Sequence, residues 1–322
     1  DQLTPGAVLA AQDLGGQNRS GRELISERTT GGSLNVAPSL SPDGSRVAFL
    51  SEKTRFAIEL FIADAETGEI RRRLTSTATD PHFESLQFIN SSGAWRADGR
   101  AFAFATVVKG DPAITVVNPE NGDRLREIRF DQLGEIYTPS YAPDGRRLVF
   151  AAVLDGYMDL FVLDLETEEL TRLTNDLYSD LQPAWSPDGR TIAFVTDRFG
   201  TDLSTLTYGE YRLAAIDAEG GEVRQLPGFA EGKQIDPHWG GTSRSLYFVA
   251  NPAGISNIYR YDFGDGGLYQ VTDLYTGVSG ITALSPAIAV AASGDRLVYT
   301  AYQLGDHDLY TIDDPPVSYT HL

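Results

Sequence analysis

Ser186-Pro187-Asp188-Gly189-Arg190-Thr191-Ile192-Ala193-Phe194 is a tight turn leading into an apolar strand, and the chain repeats it. Proline presets φ for the second turn position, aspartate bonds the backbone just after it, and glycine takes the positive φ that sends the chain back antiparallel. The same turn stands at Ser41-Pro42-Asp43-Gly44, with variants Ala142-Pro143-Asp144-Gly145 and Arg96-Ala97-Asp98-Gly99. Each copy marks a hairpin.

The register around the turn recurs as well. Pro183-Ala184-Trp185, Pro139-Ser140-Tyr141, Pro237-His238-Trp239, Gly93-Ala94-Trp95 and Pro38-Ser39-Leu40 precede it in one column. Apolar triplets follow it, from Val47-Ala48-Phe49 through Ile192-Ala193-Phe194 to Leu297-Val298-Tyr299, which makes six units. Each unit carries a third strand, such as Leu160 to Asp164, and five carry a fourth, such as Leu170 to Thr174. Four short strands repeated every 45 to 55 residues or so predict an all-β, six-bladed propeller of four-stranded antiparallel blades, because radial stacking covers both faces of each sheet. Glu23-Leu24-Ile25-Ser26-Glu27-Arg28-Thr29 reads like Glu169 to Thr174. The N-terminal segment is therefore expected to supply the missing outer strand and close the ring, which removes an exposed edge.

Domain boundaries follow from the repeats: residues 1–21 as a leader or linker, 22–314 as the propeller, and 315–322 as a tail, with Val317 to Leu322 read as foreign to the native chain. The sequence starts at Asp1 without a basic and apolar leader, so a signal peptide is read as removed or never part of it. No apolar run approaches the length that spans a bilayer. Cysteine is absent, which excludes disulfides and thiolate chemistry. A net charge of -19, with acids scattered through the turns, argues against nucleic acid and anionic membranes and favours neutral or basic partners.

The repeat motif, Ser-Pro-Asp-Gly-Arg-x-Ile-Ala-Phe at Ser186 to Phe194, with Asp159 to Thr167 and Leu170 to Thr174, resembles the TolB-type, or WD40-like Pro-Asp, propeller repeats. The likeness covers about nine tenths of the chain and is closest to propeller modules of large bacterial envelope proteins. It implies a periplasmic or cell-envelope location and a protein- or peptide-binding role. The same repeats occur beside peptidase domains, so a substrate-gating propeller is the alternative, as is a hydrolase using acids of the channel mouth. No Gly-x-Ser-x-Gly elbow is present, since Gly277-Val278-Ser279-Gly280 lacks the spacing. No catalytic residue, metal ligand or cofactor is assigned.

Candidate site residues lie just before each inner strand, where propeller loops ring the central channel: Asn35, Asn90, Glu135, Asp180 with Gln182, Gln234 with Asp236, and Thr282. They differ from blade to blade, as ligand contacts around a ring do and as solvated loops also do. Glu135, Asp180 and Asp236 would make the mouth acidic and suit a cation or a basic peptide. Other conspicuous residues favour structural readings. The turn aspartates Asp43, Asp98, Asp144 and Asp188 sit on different blades with local backbone roles. His82, His238, His307 and His321 show no zinc spacing, and Asp262 to Gly267 reads as a glycine turn rather than a calcium loop. Trp95, Trp185 and Trp239 share a repeat position and so shared packing, whereas Tyr208 and Tyr211, in an insertion from Gly200 to Tyr211, suggest an interface. Ser243 falls in the glycine column of a degenerate turn, where positive φ would strain it and replacement by glycine would relieve it.

Overall fold

The computed structural model describes residues 21–54, 57–77, 85–86, 89–294 and 296–315. The leader to residue 20, the tail Val317 to Leu322, and His82 and His321 lie outside the described residues. Six antiparallel sheets form a six-bladed propeller, and a single helical turn, Glu27–Thr30, is the only α-helix among the described residues. The innermost strands are Asn35–Leu40, Ala94–Trp95, Ile136–Tyr141, Asp180–Trp185, Gln234–Trp239 and Ile288–Val290. Each touches the next, and the last touches the first, so the ring is continuous. Blade two splits its inner strand, with Ser85–Leu86 pairing farther along the same neighbour than Ala94–Trp95.

Closure is made by Arg22–Ile25, which pairs antiparallel with Asp306–Asp313 as the fourth strand of blade six. Leu24 and Ile25 are buried there against Phe61, Val298 and Leu309. The tight turns hold as expected: Gly44, Gly99, Gly145 and Gly189 have φ between +68° and +72°, and each N–H donates to the carbonyl three residues back. Asp43 and Asp188 accept from Ser41 and Ser186 Oγ at 2.6 Å and from the N–H two residues on. The aspartates are thus turn locks.

Blades five and six depart from the repeat in different ways. In blade five Ser243 is not among the residues of positive φ, so the expected strain and the gain on replacement by glycine both lapse. Its hydroxyl instead accepts the Asp188 N–H of blade four at 3.2 Å. In blade six the turn is conventional but disguised, as Ala291-Ala292-Ser293-Gly294 with Gly294 at φ +79°. Val290 therefore takes the tryptophan column, which places Ser285 in the column of Asp180 and leaves Thr282 outside it.

The tryptophans staple neighbouring blades. Trp95 Nε1 donates to Ser39 O and Trp239 Nε1 to Ala184 O, each at 3.0 Å across a blade boundary. Guanidinium groups of the preceding blade lie over the rings, with Arg46 4.7 Å from Trp95 and Arg147 5.0 Å from Trp185.

Candidate functional site: the channel and its mouth

Strand direction gives the disk two unlike faces. Inner strands run from the mouth face to the turn face, so connections between blades, and hairpins between second and third strands, lie at the mouth. Of the twelve exposed large apolar side chains among the described residues, ten lie at the mouth face, including Leu177, Leu206, Tyr208, Tyr275 and Leu304. Leu125 and Phe263 are the exceptions. The turn face carries ion pairs that bridge blades, such as Arg46 with Glu120, Arg147 with Glu219 at 3.0 Å, and Arg296 with Glu66 at 2.6 Å. One face is laced shut by charge; the other presents apolar surface.

An inner-strand bulge shapes the channel. Ala37, Thr138, Gln182 and Asp236 each precede a proline and each have φ between +46° and +57°. Register slips at the same place in all four blades, between Val36 and Ser39, Tyr137 and Ser140, Leu181 and Ala184, and Ile235 and His238. Proline has no N–H to give the ladder, and a bulge accommodates it while turning the preceding residue toward the next blade. Four non-glycine residues held this way cost roughly 1 to 3 kcal/mol each, and contacts between blades hold them in place. Gln182 Oε1 accepts the Asp236 N–H at 2.8 Å, and Ser91 Oγ accepts the Thr138 N–H at 2.8 Å. Asp236 Oδ2 accepts the N–H groups of Ala287 at 2.7 Å and Ile288 at 2.9 Å, in blade six. These residues clasp adjacent blades.

The mouth residues read from the sequence fall into three groups. Asn35, Asp180 and Gln234 are buried at the start of their strands and bonded largely within their own blades. Asn35 accepts from Ser51 Oγ, Gln234 bonds both backbone groups of Phe229, and both Asp180 oxygens accept from Arg198 at 2.7 and 2.8 Å. Gln182 and Asp236 are the clasps, and both line the channel. Asn90 and Glu135 are exposed at the rim. Of the three carboxylates, only Glu135 presents itself to solvent, because the other two satisfy groups of the fold.

Toward the turn face the channel has a volume of about 370 Å³ and a wall that includes prolines, alanines, Trp95, Tyr141, Trp185 and Trp239. Apart from Tyr141, its ionisable lining residues are Asp236 and His238. His238 Nε2 lies 3.1 Å from Asp236 Oδ1, and its ring is partly open to the channel. Buried Asp236 thus lies against an imidazole on the channel wall, a pairing the sequence reading missed because alternate strand residues are not a metal spacing. A second cavity of about 200 Å³ adjoins the mouth and joins Asn90 and Gln182 to Tyr137, Met158, Leu181 and Tyr211. Among the described residues no group of three or more acidic or histidine side chains is placed to hold a metal.

Two carboxyls give the fold a pH dependence. Burial pushes Asp180 up to about 6 despite Arg198, and burial, reinforced by Glu23 and Asp306, pushes Asp308 to about 6 at the closing strand. Both pKa values are raised on folding from an ordinary 3.8, so their contribution to stability is complete below about pH 4 and is lost as pH rises through 6. His307 works the other way, since burial lowers its pKa. Comparison with Asp308→Asn isolates the effect: the parent is expected to lose thermal stability relative to the variant between pH 4 and 7.5. Parallel melting curves across that range would exclude it.

A sequence model of the TolB beta propeller domain matches residues 85–204, a stretch that runs from the split strand of blade two into blade four. Over that stretch the ring resembles a TolB-type propeller. A protein of Agrobacterium fabrum, itself uncharacterized, is 23% identical over 308 residues, covering 89% of this chain and 94% of that protein. The uncharacterized peptidase YuxL of Bacillus subtilis is 27% identical over 195 residues, covering 58% of this chain and 27% of the peptidase. Among solved structures, TolB from Acinetobacter baumannii superposes with a TM-score of 0.63 at 21% identity, covering 96% of this chain and 65% of that one. The chain therefore spans nearly the whole of one of these proteins and only part of the other two. Among its described residues no helix is long and apolar enough to cross a membrane.

Proposed function

We propose that the chain is a non-catalytic protein- or peptide-binding propeller module of the bacterial cell envelope, acting in the periplasm on a neutral or basic partner through its mouth face. The observation that carries this reading is the gathering of exposed apolar side chains on that face, which also holds a recessed cavity. Lone exposed apolar residues are ordinary, whereas a one-sided concentration of them marks an interaction surface. The reading of Asn35, Asn90, Glu135, Asp180, Gln182, Gln234 and Asp236 as the binding set narrows accordingly. Asn90 and Glu135 are the members we assign to contact, with the others shaping the rim and clasping the blades.

The test is capture from a bacterial envelope extract by the parent and by a Leu206→Ser, Tyr208→Ser double variant. Both side chains are largely exposed, at 69% and 76%, so the fold is expected to tolerate the change. Capture of a specific partner should fall about tenfold if these residues sit in the contact centre. Identical capture by both proteins would sink the mouth face as the site. Similarity to YuxL favours one second reading, a propeller that gates substrates for a peptidase domain. On that reading a peptidase domain, not an envelope protein, is the partner recovered.

A further inference from the structure

We propose that the cavity beside the channel mouth is a subsite for one apolar side chain of a polypeptide partner; this rests on the binding reading above and specifies its chemistry. Its walls are Tyr137, Met158, Leu181 and Tyr211, and Leu284 closes one side. At about 200 Å³ it exceeds the apolar cavity of about 150 Å³ that accepts benzene, so a leucine or phenylalanine side chain fits. None of the lining residues is charged, which disfavours a lysine or a carboxylate as guest. Met158 is the only methionine in the chain, and its flexible thioether adapts to guests of differing shape.

The rim shows why the guest belongs to a polypeptide. Gln182 Nε2 donates to the carbonyl of Leu284 at 2.8 Å, Lys233 Nζ donates to the carbonyl of Ala283 at 2.5 Å, and Thr282 Oγ1 meets Asn90 Oδ1 at 3.4 Å. These contacts reach blades four, five and two from a single segment, which a Thr282 to Ser285 turn holds across the mouth. The rim thus already holds a stretch of polypeptide, with two backbone carbonyls of the chain's own loop taken by Gln182 and Lys233 and a hydroxyl by Asn90. A partner strand laid beside the loop would meet Asn90 and Ser179 with its amides while one side chain descends into the cavity.

The lone methionine supplies the experiment. With Met158 labelled at its methyl carbon, the full chain gives one methyl resonance from the cavity wall, to be titrated with acetyl-Ala-Leu-Ala-amide. The expected result is a saturable shift with Kd of about 1 mM, and binding at least tenfold weaker for acetyl-Ala-Ser-Ala-amide and for methyl glucoside. Filling the cavity by Leu181→Phe should abolish the shift while the melting temperature stays near that of the parent. If that variant does not fold, Tyr211→Trp serves in its place. No shift from any probe, equal shifts from all three, or undiminished binding in the filled variant would overturn the proposal. Identical envelope capture by the parent and the Leu206→Ser, Tyr208→Ser variant, with the peptide shift intact, would remove the mouth-face reading and leave the cavity standing; reduced capture by that variant with no peptide shift would do the opposite.

Discussion

Removal of residues 1–32 is expected to abolish cooperative folding or to turn the protein into aggregate at room temperature. The strand Arg22–Ile25 completes blade six, and without it Asp306–Asp313 becomes an unpaired edge, a template for association with other chains. Leu24 and Ile25 bury almost their whole side chains, worth about 1.5 to 3 kcal/mol each, and the partners they leave in blade six would be exposed in turn. Set against a total stability of about 5 to 15 kcal/mol, that loss is a large part of the margin. Circular dichroism melting and light scattering give the answer. A truncated protein that melts like the parent would show that the ring does not depend on its closing strand. Removal of Val317 to Leu322 is the control, with no change expected.

The fold was legible because a propeller states its rules several times. Turn glycines, aspartate locks and the tryptophan column each recur, and recurrence separates a structural requirement from coincidence. A further recurrence is visible only in the structure: Glu59, Asp159 and Asn257 hold equivalent places in their third strands, and each accepts from a threonine just past the fourth strand, Thr75, Thr174 and Thr272. Those threonine hydroxyls also accept the N–H of Leu60, Leu160 and Ile258. In blade six the same logic misled, because small residues replaced the turn proline and aspartate while the glycine and the geometry stayed.

The site was less legible for a physical reason. A polar residue before an inner strand can face the channel, its own blade or the next blade, and the choice depends on a bulge that the repeat spacing does not reveal. Asp180 and Asp236 look alike in sequence, yet one is tied to Arg198 within its blade and the other to the backbone of blade six. The cavity residues Tyr137, Met158 and Leu181 gave no signal, since apolar side chains at strand ends read as core. Only Tyr211 was flagged, through the insertion that carries it.

Asp236→Ala is expected to destabilise the protein by about 2 to 4 kcal/mol, the largest effect of any single channel residue. Truncation leaves the N–H groups of Ala287 and Ile288 without their acceptor in a buried setting, and each unsatisfied group costs about 1 to 3 kcal/mol. Alanine also tolerates φ +57° less well than aspartate, which adds to the loss. Asp236→Asn keeps one acceptor oxygen and should cost distinctly less, although His238 then faces an amide if that oxygen stays on blade six. Chemical denaturation of the three proteins, with hydrogen exchange at Ala287 and Ile288, separates the cases. A pronounced drop for alanine with faster exchange at those two amides would establish the clasp between blades five and six. Three coincident unfolding curves would mean that Asp236 is held by the ring without helping to hold it, and its strained backbone would then point to the channel guest as the reason for its place.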